Sequence, residues 1–437
     1  MPNPVLTAIA RSFLAGDLSV DSIVARAAQT LGRPWRWLRP VARNFTEVFA
    51  GQVRPRRRDV VGFLLRDPVF RRAWNGRRRL ILVARYLPEA PRMQPVAAAA
   101  GWEIPAIETV GDLAAWLEIE PDEVDWFADL KALTQKPSAA RLHHYHYKLI
   151  DKSSGTVRLI EAPKPRLKQI QRRILTGILD RIPPHPAAHG FRRGHSIRTF
   201  VAPHAGRRVV LRMDLRDFFP SISGARVQAF FRTAGYPEPV ADLLGGICTN
   251  AAPRHVCAKA VAARDLYQGP HLPQGAPTSP ALANLIAYRV DCRLAGLARA
   301  SGAAYTRYAD DLAFSGGEDF DRAAGRFAIH AAAILHEEGF AVHHRKTRVM
   351  RQSVRQHLAG LVANQHANIR RADYDRLKAI LTNCLRHGID SQNRQGRPDF
   401  RAHLAGKVAF VEMIHPSHGA RLRELLRKLE SGIGPTI

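Results

Sequence analysis

Acidic residues are scarce: 38 Asp and Glu stand against 66 Lys and Arg in 437 residues, a net charge of +28 with a pI near 11. That imbalance excludes an acidic surface and favours polyanions, above all phosphate backbones. Cysteine is scarce too. Cys248, Cys257, Cys292 and Cys384 show no paired metal-ligand spacing, which argues against a disulfide scaffold or zinc ribbon and fits a reducing cytoplasm. No apolar run is long enough for a membrane span; residues 5–14 are mildly apolar but short and lack a secretory layout. Lysine is missing from residues 1–90, where 17 Arg face 6 acidic residues, a local net charge of +11. What remains is a chain with 46% hydrophobic residues, long enough for two or three domains with real cores. These features predict a soluble, cytoplasmic protein with no membrane partner.

Carboxylates occur in a telling context. Ala303–Arg307 and Leu312–Ser315 alternate as two strands, with Tyr308-Ala309-Asp310-Asp311 at the turn between them. Asp214 ends a third apolar run, Arg208–Met213, which also reads as a strand. An isolated Asp-Asp is most often a solvated loop. Three aspartates at neighbouring strand ends instead form a cage of hard oxygen ligands suited to Mg²⁺, and two such ions can clamp an in-line phosphoryl displacement.

Three words sharpen this reading: Asp214-Leu215-Arg216-Asp217-Phe218-Phe219-Pro220-Ser221-Ile222, Leu272-Pro273-Gln274-Gly275-Ala276-Pro277-Thr278-Ser279-Pro280, and Tyr308-Ala309-Asp310-Asp311. In this order they resemble the metal-binding, template- and nucleotide-contacting, and catalytic-turn motifs of reverse transcriptases. Within that superfamily the chain most resembles the bacterial retron-type enzymes, over roughly residues 140–375. Two departures stand out. The retron Asn-Ala-x-x-His signature appears as Asn250-Ala251-Ala252-Pro253-Arg254-His255, with the histidine one position late, and Val-Thr-Gly appears as Leu358-Ala359-Gly360.

The resemblance implies an α+β right-hand polymerase: a basic helical N-terminal extension (1–135), fingers and a palm with an antiparallel sheet (140–370), and a helical thumb (371–437). It implies catalytic, Mg²⁺-holding Asp214, Asp310 and Asp311, with Lys346 as general acid for the leaving pyrophosphate. Arg158 on the hairpin Tyr145–Ile150/Thr156–Ile160, with Lys164 and Arg166, would reach the incoming triphosphate. Phe219, five positions after Asp214, would lie under the sugar and exclude ribonucleotides. Phe218 alternates into the core. Gln274 and Gly275 would approach the nascent pair, and Asn284, on a helix from Ala281 to Leu297, would face the site. Arg192 and Arg193, in His189–Ile197, would lie near template or primer phosphates. The partners implied are deoxynucleotides, a structured noncoding RNA as template and primer, a branched RNA–DNA product and an accessory effector in antiviral defence.

The N-terminal arginines carry a reading of their own. Arg56, Arg57 and Arg58, with Arg77, Arg78 and Arg79, are dense enough to grip RNA. The interleaved Trp35, Trp37 and Trp74 are expected in the core of a small helical domain, although stacking on bases is the alternative. Residues 101–133 are acidic and amphipathic, suggesting a packing module or a hinge. His143, His144 and His146 lack ligands at metal spacing. Competing readings are another defence-associated or group II intron-like reverse transcriptase, a catalytically idle RNA-binding scaffold, and a palm-fold nucleotidyl cyclase.

Overall fold

A computed structural model of the chain describes residues 3–50, 55–77, 80–85, 92–133, 143–151, 157–258 and 264–431. It divides into two compact units, one of residues 1–182 and 222–282, the other of 183–221 and 283–437.

The first unit opens with five helices among the described residues: Pro4–Leu14, Val20–Leu31, Leu38–Val48, Arg57–Arg66 and Pro68–Arg77. Asn3 and Ser19 cap the first two by accepting from backbone N–H groups of the first turn. Their apolar faces converge on Ile9, Phe13, Ile23, Trp37, Phe45 and Phe70. Trp35 and Trp37 are buried and Trp74 packs against the same cluster. The tryptophans therefore build a core, as expected of a small helical domain. The acidic stretch forms two short helices, Val110–Leu117 and Pro121–Ala128, the first capped by Thr109. It is a packing module: Gly246 comes so close to it that a Cβ there would stand 2.3 Å from the Ala128 carbonyl oxygen.

A two-stranded antiparallel hairpin follows, β1 (Tyr145–Asp151) with β2 (Val157–Pro163), in the register Tyr145↔Pro163 to Asp151↔Val157. Of the turn expected between them at 151–155, Asp151 is the last residue of β1 and residues 152–155 lie outside the described residues.

The second unit is built on a five-stranded sheet around β3 (Val209–Arg216). On one side β3 pairs antiparallel with β5 (Asp311–Gly316), which pairs with β4 (Ala304–Tyr308). On the other, β6 (Ala341–Val342) pairs with its C-terminal end and β7 (Arg348–Arg351) with its N-terminal half. Near-continuous burial of β3 reflects neighbours on both edges and helices such as Glu318–Glu337 on its face. Buried His204 ties β4 to β5, its ring nitrogens 2.7 Å from Ser315 Oγ and Thr306 Oγ1. Burial pushes its pKa down to about 3, so it acts there as a neutral cross-link.

A small hairpin, β8 (His357–Leu358) with β9 (Leu361–Val362), turns through Ala359 (φ +46°) and Gly360 (φ +86°). Two successive positive φ values favour glycine, so the glycine of that departure motif serves the backbone. Among the described residues three α-helices follow, Arg371–His387, Phe400–Ile414 and Pro416–Glu430, packed through Leu381, Val408 and Leu422. One sequence expectation needs correction: the single helix over 281–297 is two helices, Ser279–Ile286 and Tyr288–Ala300, broken at Ala287.

Candidate active site

Strand pairing alone brings the carboxylates together. Asp214 and Asp311 are direct partners across the β3–β5 ladder, and Ala309-Asp310 is the two-residue connection from β4 to β5. Asp214 is not at the end of its strand; Leu215 and Arg216 continue it, and Leu215 N–H donates to the Asp310 carbonyl (2.9 Å). Ala309 sits at φ +54°, a left-handed conformation that costs an L-residue roughly 1–2 kcal/mol.

Surrounding structure overdetermines that turn. A Cβ on Gly190 would stand 2.7 Å from the Ala309 nitrogen, so only glycine lets this segment pass so close. Arg307, immediately before Tyr308, is fully buried and donates to the Ala309 carbonyl from Nη1 (3.2 Å). Its Nε and Nη2 grip both oxygens of Asp291, also fully buried, at 2.7 and 2.6 Å. Tyr305 donates its hydroxyl to the same carboxylate (2.7 Å). Burial opposes the guanidinium's charge, but Asp291 outweighs it and the Arg307 pKa is raised. Asn284 completes the group: Oδ1 accepts from Arg307 (3.0 Å) and Nδ2 donates to the Gly190 carbonyl (2.8 Å). Asn284 therefore holds the turn from beneath and does not face the site as expected. Sequence reasoning missed Arg307 and Asp291; the available signal was a charged residue inside an apolar strand.

The site's charges face one another. Asp214 is 4% exposed, and Lys346 Nζ donates to both its oxygens at 2.9 and 3.1 Å. Asp311 Oδ1 accepts two hydrogen bonds from Arg212, at 2.9 Å from Nε and 2.7 Å from Nη2. Burial raises the Asp310 pKa, and the Asp311 and Asp214 charges add to it. Burial likewise raises Asp311, against the pull of Arg212. Among the described residues no three His, Cys, Asp or Glu side chains stand as a ready ligand set, the three aspartates included. Their chemistry nevertheless fits a hard divalent cation. All donors are carboxylate oxygens on adjoining backbone, and burial disfavours the charge on Asp310 and Asp311, a cost that a bound cation would offset.

Phe218 is buried against Phe340 (5.6 Å between ring centres), with the Arg307 guanidinium 5.8 Å from its ring centre. Phe219 is half-buried and lies toward Phe191, at 6.1 Å. Arg192 is half-buried and Arg193 exposed.

Within the first unit, Arg158 is exposed on β2 and Lys164 stands at the N-terminal boundary of the helix Pro165–Gly177. The carbonyl of half-buried Gln274 accepts from Glu161 N–H (2.9 Å). Gly275, at φ +135°, passes so close to β2 that a Cβ would stand 2.8 Å from the Glu161 carbonyl oxygen. Beneath this loop the Glu161 carboxylate is fully buried, with Asn250 Nδ2 2.7 Å from Oε1 and His271 Nε2 2.8 Å from Oε2. His271 Nδ1 lies 2.9 Å from the Gly269 carbonyl, which can only accept, so that nitrogen carries a proton. Asn250 also reaches Tyr147 Oη (3.1 Å), so the asparagine of the first departure motif is committed to internal bonds. Arg56 is half-buried; Arg57 and Arg58 are exposed. Arg78 and Arg79 lie outside the described residues, and of Arg77 only the backbone is described, as the last residue of its helix.

Comparisons with known proteins agree with this architecture. A family model described as reverse transcriptase (RNA-dependent DNA polymerase) matches residues 150–363. The retron Mx65 reverse transcriptase of Myxococcus xanthus is 44% identical over 286 residues, 64% of each chain, so this chain spans just under two thirds of that relative. The retron Mx162 reverse transcriptase of the same species is 36% identical over 338 residues, covering 74% of this chain and 68% of the relative. The retron Ec86 reverse transcriptase of Escherichia coli is 32% identical over 279 residues, 64% of this chain and 78% of the relative. With two relatives above 30% identity matched over more than two thirds of their lengths, the chain belongs to the bacterial retron-type reverse transcriptases.

Proposed function

We propose that this protein is an RNA-directed DNA polymerase that copies a dedicated structured noncoding RNA, primes on that RNA to leave a branched RNA–DNA product, and serves antiviral defence with an accessory effector. The observation that carries the polymerase reading is the pairing of Asp214 with Asp311, with Asp310 on the adjoining turn. The five-stranded sheet serves as palm, the β1–β2 hairpin as part of the fingers, the C-terminal helices as thumb and residues 1–135 as an RNA-anchoring extension. Four free thiols suit a reducing compartment, and no helix among the described residues is long and apolar enough to cross a membrane.

In the reaction, a primer hydroxyl attacks the α-phosphate of a deoxynucleotide, a new phosphodiester forms, and pyrophosphate leaves. Asp214, Asp310 and Asp311 would hold two Mg²⁺ ions, whose charge makes the hydroxyl more acidic and neutralises the leaving group. Arg212 keeps the Asp311 carboxylate oriented through its two hydrogen bonds. Lys346 screens Asp214 until substrate arrives and then has a proton to give the pyrophosphate. Arg158 and Lys164 grip the triphosphate, Gln274 and Gly275 line the nascent pair, and Arg192 and Arg193 hold template or primer phosphates.

Phe219 excludes the ribose 2′-hydroxyl. Phe219→Val should admit ribonucleotides roughly tenfold or more readily, since relieving about 1.4 kcal/mol of clash is worth a factor of ten. Competing dNTP and rNTP incorporation on one primer–template measures it; an unchanged ratio in a variant that still polymerises removes Phe219 from this role.

The function as a whole is tested on nucleic acid bound to the purified protein. One RNA species covalently joined to a DNA strand, released by a 2′,5′-debranching enzyme, is expected. A heterogeneous RNA pool with no attached DNA, from protein active on added primer–template, would leave a reverse transcriptase without retron priming.

A further inference from the structure

The first unit contains a cavity of about 430 Å³ lined by none of the residues assigned to the polymerase reaction. Such a volume is within the usual range for a small-molecule or single-residue site. Its lining mixes several kinds of group. Arg56 and Arg58 supply guanidinium groups, Phe127 and Leu130 supply apolar surface, Gln228 supplies a side-chain amide, and Asp129 adds a carboxylate. Leu130 is 51% exposed, large apolar surface left open beside two cations. Arg56 reaches the Ala225 carbonyl and Gln228 Oε1 only through long bonds of 3.4 and 3.5 Å, which a phosphate oxygen would readily displace.

We propose that this cavity binds one unpaired nucleotide of the protein's RNA, extruded from its stack, with the phosphate on Arg56 and Arg58 and the base between Phe127 and Leu130. The inference rests on the RNA-copying function above and gives the Arg56 cluster a defined target. Each part of a nucleotide finds its match. Phosphate takes the planar donor forks of arginine, and the π-face of a base takes aromatic and aliphatic surface. A carboxamide offers a donor and an acceptor side by side, as a base edge does. Arg58 Nε lies 3.6 Å from Asp59 Oδ1, an exposed pair that a phosphate can displace, and a chain at +28 is adapted to phosphate chains.

The test uses the full chain and the RNA that purifies with it. Ala225 is exposed and lines the cavity, so Ala225→Trp fills the mouth without entering the core. Its affinity for the RNA should fall tenfold or more while the thermal midpoint stays at the wild-type value. Arg56→Gln with Arg58→Gln should flatten the slope of log affinity against log salt by about 0.7 for each phosphate no longer neutralised. Ultraviolet crosslinking should join the wild-type RNA to a peptide containing Phe127 or Leu130. Unchanged affinity in Ala225→Trp overturns the proposal; should that variant melt early, an unchanged salt slope in the double arginine variant overturns it instead. A thermal shift with 5′-AMP or 5′-CMP, with RNA affinity intact in both variants, would make the cavity a free-mononucleotide site and also overturn it. Wild-type extension of an RNA template is measured alongside. Its absence would sink the polymerase function, whereas normal extension with unaltered RNA binding in the variants would sink only the nucleotide pocket.

Discussion

Asp310→Asn is expected to reduce deoxynucleotide incorporation by about a thousandfold or more, roughly 4 kcal/mol of barrier, while RNA binding is retained. In the proposed mechanism the loss follows from removing one anionic oxygen from the set that would hold divalent cations, while the basic surface proposed to bind RNA is unchanged. A second readout does not depend on turnover. Burial, reinforced by Asp311 and Asp214, holds the Asp310 pKa above its ordinary value of 3.8. A carboxyl raised in the folded state contributes stability when protonated, below its unfolded pKa, and loses it as pH rises through the folded value. At neutral pH the ionised group therefore works against the fold. Asp310→Asn should melt higher than wild type near pH 7, and the gain should vanish as pH falls toward 3.8. Mg²⁺ should raise the wild-type midpoint more than that of the variant. Full activity, or an equal Mg²⁺ shift in both proteins, would remove Asp310 from the metal-binding set.

The second large effect lies beneath the turn. Asp291→Ala should destabilise the second unit by about 3–5 kcal/mol, because it leaves the Arg307 charge buried without its partner. Urea unfolding followed by a probe in the β4–β5 region measures this. Replacing both members, Asp291→Leu with Arg307→Met, should recover most of the stability, since an apolar pair of similar volume avoids the desolvation of two ions. Activity should not recover with it. Ala309 would no longer have the guanidinium bonded to its carbonyl, and the strained turn would not be held in one conformation. If the double variant is as active as wild type, the network serves stability alone.

These two experiments divide along the line between what could be read in the chain and what could not. The strand–turn–strand around Tyr308–Asp311, the strand carrying Asp214 and the β1–β2 hairpin were all legible. Each depends on side-chain alternation within a few residues, and β-turn chemistry is local. Asp310 was legible for the same reason, as a polar residue at the turn between two alternating strands, whereas Asp214, expected at a strand end, lies within its strand. Local pattern and composition therefore sufficed for a basic chain with a carboxylate turn, while the RNA template was implied only by the resemblance to retron-type enzymes. How that turn is held was settled only by the fold. Arg307 meets Asp291 from a different element, Lys346 reaches Asp214 across 132 positions, and His271 reaches Glu161 across 110. No periodicity marks such partners, because a buried charge is tolerated only where a distant segment supplies the opposite charge or the missing hydrogen bond, and folding alone brings the two together.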